Sequence, residues 1–279
     1  ELPALSHRRI YDSLIAEGKE VVTAEDDARI GRLYGEEGVT VYNAFKQIFF
    51  GIEPVIDKIV RYYHAAALKG EESRQVLYLM GPVGAGKSSL VEHIQHLLEQ
   101  SPPMMAIEGC PLQEEPLHLT PRHLRAEFEK MLHVHIEGDL CPVCRWRLKN
   151  EFKGKYEEMG VIAVRPSKRA RRGIAVVPPV DPNNQDTSVL IGSEDISKLD
   201  KYSESDPRVL DLGGAFNAGN RGMVEFIEVF KNEIEYLHTM ITATQEKVVP
   251  APGRHGMVYV DCSILAHSNE AEWRKFRAE

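Results

Sequence analysis

Residues 81–89 read Gly-Pro-Val-Gly-Ala-Gly-Lys-Ser-Ser and match the spacing G-x-x-x-x-G-K-S. A loop of this pattern binds phosphates, because its glycines let main-chain amides approach a phosphate group that side chains would block. Lys87 supplies a positive charge for the β- and γ-phosphates, and the Ser88 hydroxyl is placed to ligate Mg²⁺. The motif predicts a P-loop that binds ATP and Mg²⁺ through Gly81, Pro82, Val83, Gly84, Ala85, Gly86, Lys87, Ser88 and Ser89.

The elements on both sides of this loop are those that a P-loop requires. QVLYLM at 75–80 is a short apolar run typical of a buried strand, and SLVEHIQHLLEQ at 89–100 has the spacing of a helix. A strand, a glycine-rich loop and a helix in this order argue against a chance match in a glycine-containing turn. Farther along, the pattern predicts strands at 223–230, 257–261 and 263–269 and a helix at 232–246. We therefore expect an α/β fold with a parallel sheet flanked by helices.

Changes in amino-acid composition along the rest of the chain suggest where its segments begin and end. Residues 1–40 are polar and charged with helical stretches, and we expect an N-terminal helical arm there. The core is expected over 41–279, beginning with a helix that follows Gly51 and stops near Gly70. Residues 101–185 are irregular and rich in proline, and they carry three of the four cysteines. This segment predicts an insertion into the core.

The length and the net charge of the chain limit the classes of protein to which it can belong. The chain has 279 residues, 43% of them hydrophobic, so it can bury a sizeable core. Its net charge of −8 argues against a surface built mainly to bind nucleic acid. No run of about 18 apolar residues and no signal peptide are present, which predicts a cytoplasmic protein without a membrane partner. The first residue is Glu1 and the last residues are charged and helix-prone, so we expect a fragment of a longer protein.

The cysteines suggest a metal site. Cys141 and Cys144 have the C-x-x-C spacing whose thiolates can bind one tetrahedral ion, and Cys110 with a histidine could complete a structural Zn²⁺ site. We favour His118, because His133 and His135 alternate with apolar residues as in an ordinary strand. One C-x-x-C is only half of a zinc signature, so buried or free thiols remain the alternative. A thioredoxin-like redox role is disfavoured, since no strand of that fold precedes the motif.

Two other features are most simply interpreted as structural. Cys262 lies in the apolar run VYVDCSIL and is expected in the core. The basic stretch at 165–172 could contact nucleic acid or an acidic partner, but proline-containing segments flank it and the whole chain is acidic. A solvated loop is the simpler interpretation.

The distal half resembles a known family. LIGSEDISKL at 190–199, GGAFNAGNRGMVEFIEV at 213–229 and ILAHSNEAEW at 264–273 are similar to AAA+ ATPases of the magnesium-chelatase and sigma-activator type. Together with FFGIEPVIDKIVRYYHAAA, GPVGAGKSSL, EEPLHL, CPVC, ESDPR and TATQE, they more closely resemble the AAA domain of the PrkA family. That family is described as serine protein kinases. The likeness covers nearly all of the chain after the first 30 or so residues.

The resemblance implies further site residues. Glu228 falls at the Walker B glutamate, which orients the attacking water, and Asn269 falls at the sensor-1 position near the γ-phosphate. Gly51 and Ile52 lie in the stretch that packs near adenine in similar proteins. The usual Walker B aspartate aligns with Ile227, which cannot help to hold Mg²⁺. Glu225 precedes it by two residues on the same strand face and is the uncertain alternative ligand.

A plainer interpretation of the two glutamates stays open, in which both are solvated positions on an edge strand. The resemblance also implies homo-oligomers, a hexameric ring among them, and it places the end of this chain before the helical lid. Three functions follow as alternatives. They are an ATP-hydrolysing motor, a protein serine kinase acting on a protein substrate or client, and a nucleotide-regulated scaffold that barely hydrolyses ATP. No HRD, DFG or VAIK kinase signature occurs in the sequence.

Overall fold

The computed structural model describes residues 4–36, 38–179, 186–232 and 234–278. The helices are α1 Ser6–Ile15, α2 Ala28–Tyr34, α3 Asn43–Lys46, α4 Glu53–Ala67, α5 Lys87–Glu99, α6 Arg125–Leu132, α7 Pro142–Asn150, α8 Ser188–Ile191, α9 Ala215–Ala218, α10 Ile234–Gln245 and α11 Glu270–Ala278. The strands are β1 Lys19–Val22, β2 Val39–Tyr42, β3 Leu77–Met80, β4 Met104–Ile107, β5 Val161–Val164, β6 Ile174–Val177, β7 Ser193–Glu194, β8 Leu210–Asp211, β9 Met223–Ile227, β10 Val248–Pro250, β11 Met257–Tyr259 and β12 Ser263–Ser268.

Four parallel strands form the central sheet in the order β3, β12, β9, β6. Strand β12 lies between the strand that precedes the P-loop and β9, and all six of its residues are buried. Because the four strands are parallel, their carboxyl ends meet at one edge of the sheet. The predicted α/β class is confirmed, and the strands and helix expected after residue 222 are present.

Helices cover the sheet on the face beneath the P-loop. Helix α4 starts with Pro54 in its first turn and buries Ile56, Ile59, Val60 and Tyr63, which recur at helical spacing. These side chains pack with the apolar stripe of α5 and with α1 in one cluster. Burying each such side chain contributes roughly 1.5–3 kcal/mol, so this layer holds α5 against the sheet.

The N-terminal segment differs from the expected helical arm. Its helices α1 and α2 are present, but β1 and β2 pair in antiparallel register with Lys19 opposite Tyr42. Their β-branched and aromatic residues favour strand over helix in this short context. Helix α1 also packs against α4 and α5, with Ile10 and Leu14 fully buried. The segment is therefore integrated with the core.

The predicted insertion contains one strand of the central sheet. Strands β4 and β5 pair antiparallel outside that sheet, as an insertion would, but β6 pairs with β9 inside it. The four apolar residues of β6 lie between a basic stretch and two prolines, which hid the strand in the sequence pattern. Residues 180–185, at the expected end of the insertion, lie outside the described residues.

The remaining predictions from the sequence have mixed outcomes. His133 and His135 do not lie in a strand, because α6 ends at Leu132 and His133 takes a left-handed conformation there. The basic stretch forms an exposed turn closed by a bridge between Ser167 and Arg172. Cys262 is buried as expected, just before β12. Among the described residues, none of the helices has the length and apolar character needed to cross a bilayer.

Candidate nucleotide site and thiol cluster

The carboxyl edge of the central sheet carries a cavity of about 320 Å³. Strand β3 runs directly into the P-loop, β9 ends before Glu228, and β12 ends before Asn269. Because β12 lies between the other two strands, Asn269 is brought between the P-loop and Glu228. The cavity is lined by Val83, Gly84, Ala85, Gly86, Lys87, Ser88, Ser89, Ile227, Glu228, His267, Ser268 and Asn269.

The P-loop backbone is shaped for an anion. Gly84 and Gly86 have φ values of 81° and 78°, a left-handed region that residues with a Cβ rarely adopt. Helix α5 starts immediately afterwards, so its unpaired N-terminal amides and the positive end of its dipole face the loop. Lys87 Nζ donates to the carbonyl oxygens of Gly81 and Pro82, each at 2.7 Å, which holds the ammonium group over the loop.

Glu228 and Asn269 are held by local contacts at the cavity. Glu228 takes a left-handed φ of 51°, uncommon for a residue with a side chain, and forms an ion pair with Lys231 at 2.5 Å. Its side chain is 35% exposed, so the carboxylate reaches solvent in the cavity. Asn269 Oδ1 accepts from the backbone N–H of Glu272 at 2.9 Å and so caps α11. That bond leaves the Asn269 amide NH₂ as a donor group.

Glu225 lies below the cavity and is not one of its lining residues. It is 3% exposed in the central strand β9, which excludes the interpretation of a solvated edge position. Gln95 Nε2 donates to Glu225 Oε2 at 2.6 Å, and His267 Nε2 donates to Glu225 Oε1 at 3.0 Å. Gln95 is two turns into α5, roughly 10 Å along the helix from Ser88. The placement therefore does not favour Glu225 as a magnesium ligand.

Gly51 and Ile52 also lie outside the lining of this cavity. The Gly51 amide donates to Glu53 Oε1 at 3.1 Å, and Ile52 packs against the α4 and α5 cluster. They form the entrance to α4. Their expected place near an adenine ring stays a prediction.

Sequence reasoning missed two residues of the cavity wall. His267 and Ser268 end β12 and line the cavity next to Asn269. A polar pair that closes an apolar strand directly before an asparagine is the signal that could have identified them. His267 also joins the cavity wall to the buried carboxylate of Glu225.

A second constellation lies in the segment between β4 and β5. Cys110, Cys141 and Cys144 are brought together as predicted, and all three are buried and free of disulfides. The fourth member is Glu114, which the sequence analysis did not single out. Ligand atoms of the four residues all lie within 4.8 Å of one another. His118 lies just outside this group, with Nδ1 at 3.7 Å from Glu114 Oε1.

Burial and mutual hydrogen bonding shift the ionisation of this cluster. Burial, followed by the neighbouring Cys110 sulfur, raises the pKa of Glu114 to about 6. Burial acts to raise the pKa of Cys110 as well, but hydrogen bonds from Cys141 and Cys144 outweigh it and hold that pKa well below its usual range. The same hydrogen bonding to Cys110 raises the pKa of Cys141. The Cys110 sulfur therefore lies at the centre of the hydrogen bonds within the group.

Comparison with known proteins gives consistent matches. Residues 1–279 match the family profile described as the PrkA AAA domain. The chain is 39% identical over 247 residues to the ATP-dependent protease PrkA of Bacillus subtilis (strain 168), covering 86% of this chain and 39% of that protein. It is 37% identical over 272 residues to the serine/threonine kinase YeaG of Escherichia coli (strain K12), covering 95% of this chain and 42% of that protein.

The chain thus spans about two fifths of the length of these relatives. A weak structural likeness, with a TM-score of 0.44 and 17% identity, links it to a complex between subunits BchI and BchD of magnesium chelatase. That match covers 71% of this chain and 47% of the other.

Proposed function

Because this chain belongs to the PrkA AAA domain family, we propose that it binds Mg-ATP in the cavity at the carboxyl edge of its sheet and hydrolyses it there. The observation that carries the proposal is the convergence of a P-loop, a carboxylate and an amide around one cavity. Each group comes from the end of a different parallel strand. Such an edge is where open α/β sheets bind ligands.

The P-loop supplies the binding contacts. Main-chain amides around Gly84 and Gly86, together with the N-terminus of α5, donate to phosphate oxygens. Lys87 exchanges its two carbonyl partners for oxygens of the β- and γ-phosphates, and Ser88 contributes its hydroxyl to Mg²⁺. When bound, the metal neutralises charge on the phosphates. Every one of these groups belongs to one short segment, so binding needs little rearrangement of the fold.

Glu228 is the proposed general base. Its exposed carboxylate can accept the proton of a water molecule placed against the γ-phosphate, and the ion pair with Lys231 fixes its orientation. The NH₂ group of Asn269 is the proposed donor to that water or to a γ-phosphate oxygen. Both residues line the same cavity as the P-loop, which supports a role for them beside the terminal phosphate.

Ile227 occupies the position at which the resemblance implies the Walker B aspartate. It lines the cavity where a carboxylate would hold the hydrated metal, and the nearby Glu225 is engaged by Gln95 and His267. Mg²⁺ would then be held by Ser88, phosphate oxygens and water alone. We expect weak metal affinity and slow hydrolysis, which keeps a nucleotide-regulated scaffold as the second candidate.

A protein serine kinase is the third candidate. One relative is named a serine/threonine kinase and another an ATP-dependent protease, so the names alone do not choose between water and a serine as the acceptor. We propose water as the acceptor of the γ-phosphate, because Glu228 can accept a proton from a molecule that is small enough to enter the cavity. We also propose that the chain assembles with copies of itself and acts on a protein client, as the AAA+ resemblance implies.

The test follows the γ-phosphate. The purified chain is incubated with Mg²⁺ and γ-labelled ATP, and free phosphate and labelled protein are quantified separately, with and without casein as a general acceptor. We expect label in free phosphate at a rate that depends on Glu228. Label that accumulates on protein would favour the kinase. Tight ATP binding with no release beyond that of a Glu228→Gln variant would favour the scaffold.

A further inference from the structure

Three thiols and one carboxylate are buried together away from the nucleotide cavity. Cys110 and Glu114 come from the loop after β4, whereas Cys141 and Cys144 come from the start of α7, about 30 residues later. Cys141 precedes the first turn of α7, and its sulfur accepts the backbone N–H of Cys144 at 3.3 Å. Burying the Glu114 carboxylate without a counter-charge is costly, whereas neutral thiols are buried easily, so the carboxylate is the group that calls for a partner.

The spacing of the group fits a single small ion. Tetrahedral ligands at about 2.3 Å from zinc lie roughly 3.8 Å from one another. The four ligand atoms here are all within 4.8 Å of one another, so small side-chain movements would bring them around one ion. Thiolates combined with one oxygen or nitrogen ligand are a donor set that zinc prefers.

His118 provides an independent observation that points to a ligand. Its Nε2 lies 2.7 Å from the carbonyl oxygen of Glu137, an acceptor, so Nε2 carries the ring proton. Nδ1 is then a bare lone pair, buried without a hydrogen-bond partner in the part of the chain that the structure describes, and 3.7 Å from Glu114 Oε1. Glu114 Oε1 already accepts the backbone N–H of Cys141 at 2.6 Å, whereas Nδ1 meets no donor among the described residues, so a cation close by would stabilise this side of the cluster. A histidine whose other nitrogen donates to a main-chain carbonyl is common around metal ions.

We propose that Cys110, Glu114, Cys141 and Cys144 bind one structural Zn²⁺, with His118 packed beside the Glu114 carboxylate. This assignment replaces His118 by Glu114 in the ligand set expected from the sequence. A cavity of about 510 Å³ is lined in part by His118 and by Glu115, the residue after Glu114. Zinc binding would remove the protons from the thiols and leave Glu114 Oε2, which now accepts from Cys110 Sγ at 3.1 Å, free to ligate.

The ion would join two distant pieces of chain and pin them to the sheet. The loop after β4 contacts the segment that leads into β9, since Asn220 Nδ2 donates to the carbonyl of Leu112 and Arg221 pairs with Glu115 at 2.5 Å. Fixing Cys110 to Cys144 would therefore fix α7 to the amino-terminal side of β9. A segment of this length with short helices gains order from such a cross-link.

Elemental analysis tests the site directly. Protein purified without added metal should contain about one zinc per chain, and Cys144→Ser should lose it while Cys262→Ser keeps it. Cys262 is a suitable control because it is also a buried free cysteine but lies outside the cluster. Zinc below about a tenth of an equivalent, with no binding of added Zn²⁺ or Co²⁺ to metal-free wild-type protein, would overturn the proposal. Visible colour from bound iron and sulfide would overturn it as well.

Cobalt spectra test the site in the wild-type protein first and then the identity of the fourth ligand in two variants. Metal-free wild-type protein titrated with Co²⁺ should develop thiolate-to-cobalt absorption and the intense d–d bands of a tetrahedral site. Glu114→Gln should alter the d–d bands, whereas His118→Gln should leave their positions unchanged and lower affinity by roughly 10–100-fold. The reverse pattern, with bands altered only by His118→Gln, would show that His118 is the ligand and overturn the assignment of Glu114.

Discussion

The nucleotide cavity and the thiol cluster use opposite strategies to hold a charged ligand. The cavity is built largely from exposed main chain, with Val83 87% exposed, and most of its lining residues are the seven consecutive residues 83–89. The thiol cluster is built from fully buried side chains that come from two separated segments. An open loop suits a ligand that must exchange, and a closed cluster suits an ion that stays. The comparison predicts that each site can be disabled without damage to the other.

The largest effect is expected from Glu228→Gln. A neutral amide cannot accept the proton of the attacking water, so hydrolysis should fall by about 100-fold or more, the contribution usual for a general base. ATP affinity and the melting temperature should stay near those of the unmodified chain, because this carboxylate is partly exposed and, within the described part of the chain, its ion pair is with Lys231. Phosphate release under single-turnover conditions measures the first quantity, and calorimetric titration with thermal melting measures the others.

Glu270→Gln is the control for that experiment. Its side chain is 59% exposed at the start of α11, next in sequence to Asn269 but outside the cavity lining. It should hydrolyse ATP at the unmodified rate. Equal rates for Glu228→Gln and Glu270→Gln would remove Glu228 from the proposed chemistry.

Lys87→Ala should weaken ATP binding by at least about tenfold, or roughly 1.4 kcal/mol. The substitution removes the charge that the P-loop presents to the phosphates, but among the described residues the Lys87 ammonium group donates hydrogen bonds to the loop itself. The fold and the zinc content should therefore be unchanged. Calorimetric titration with Mg-ATP measures the loss, with Lys58→Ala on the exposed side of α4 as the charge-matched control. An unchanged affinity in Lys87→Ala would contradict the P-loop assignment.

The same comparison explains how much could be predicted from sequence. The P-loop is contiguous, so its motif and flanking elements predicted both the site and the strand-loop-helix unit around it. The thiol cluster depends on which residues the fold brings together, and C-x-x-C could not reveal that Glu114 lies closer than His118. Strand β6 was missed for a related reason. Four apolar residues predict a strand only when the neighbouring β9 is known to be there.

Glu225 shows the same limit within one strand. A carboxylate three residues from Glu228 suggested either a metal ligand or a solvated position, because local pattern carries no information about depth in the sheet. Burial in a central strand and hydrogen bonds from Gln95 and His267 decide its environment instead. The tertiary contacts of Glu225 and Glu228, more than their spacing along the strand, determine the different environments of the two carboxylates.

Glu225→Gln sharpens this contrast between a buried and an exposed carboxylate. One of its oxygens becomes an NH₂ group that faces a donor from Gln95 or His267, so the free energy of unfolding should fall by roughly 1–3 kcal/mol. Hydrolysis should fall by less than about tenfold, since Glu225 does not line the cavity. Chemical denaturation measures the stability, with Glu92→Gln on the exposed face of α5 as control. A larger loss of hydrolysis than in Glu228→Gln would show that the assignments of the two glutamates must be exchanged.

The smallest effect is expected when the ion is removed from the thiol cluster and ATP binding is measured. Strand β9 is the shared element, because Asn220 and Arg221 contact the segment that carries the cluster and Glu228 follows the strand at its other end. Its five residues span roughly 13 Å, and perturbations separated by more than about 10 Å without common partners are usually independent. Chelator-treated protein should therefore melt at a lower temperature, but its affinity for Mg-ATP should stay within about twofold of that of the untreated chain. The affinity is measured by calorimetric titration after excess chelator is removed, at a temperature well below the lowered melting transition. Readdition of Zn²⁺ should restore the melting temperature. A tenfold loss of ATP affinity at a temperature where the fold is intact would mean that β9 transmits the state of one site to the other, and the thiol cluster would then be a regulator of the nucleotide cavity.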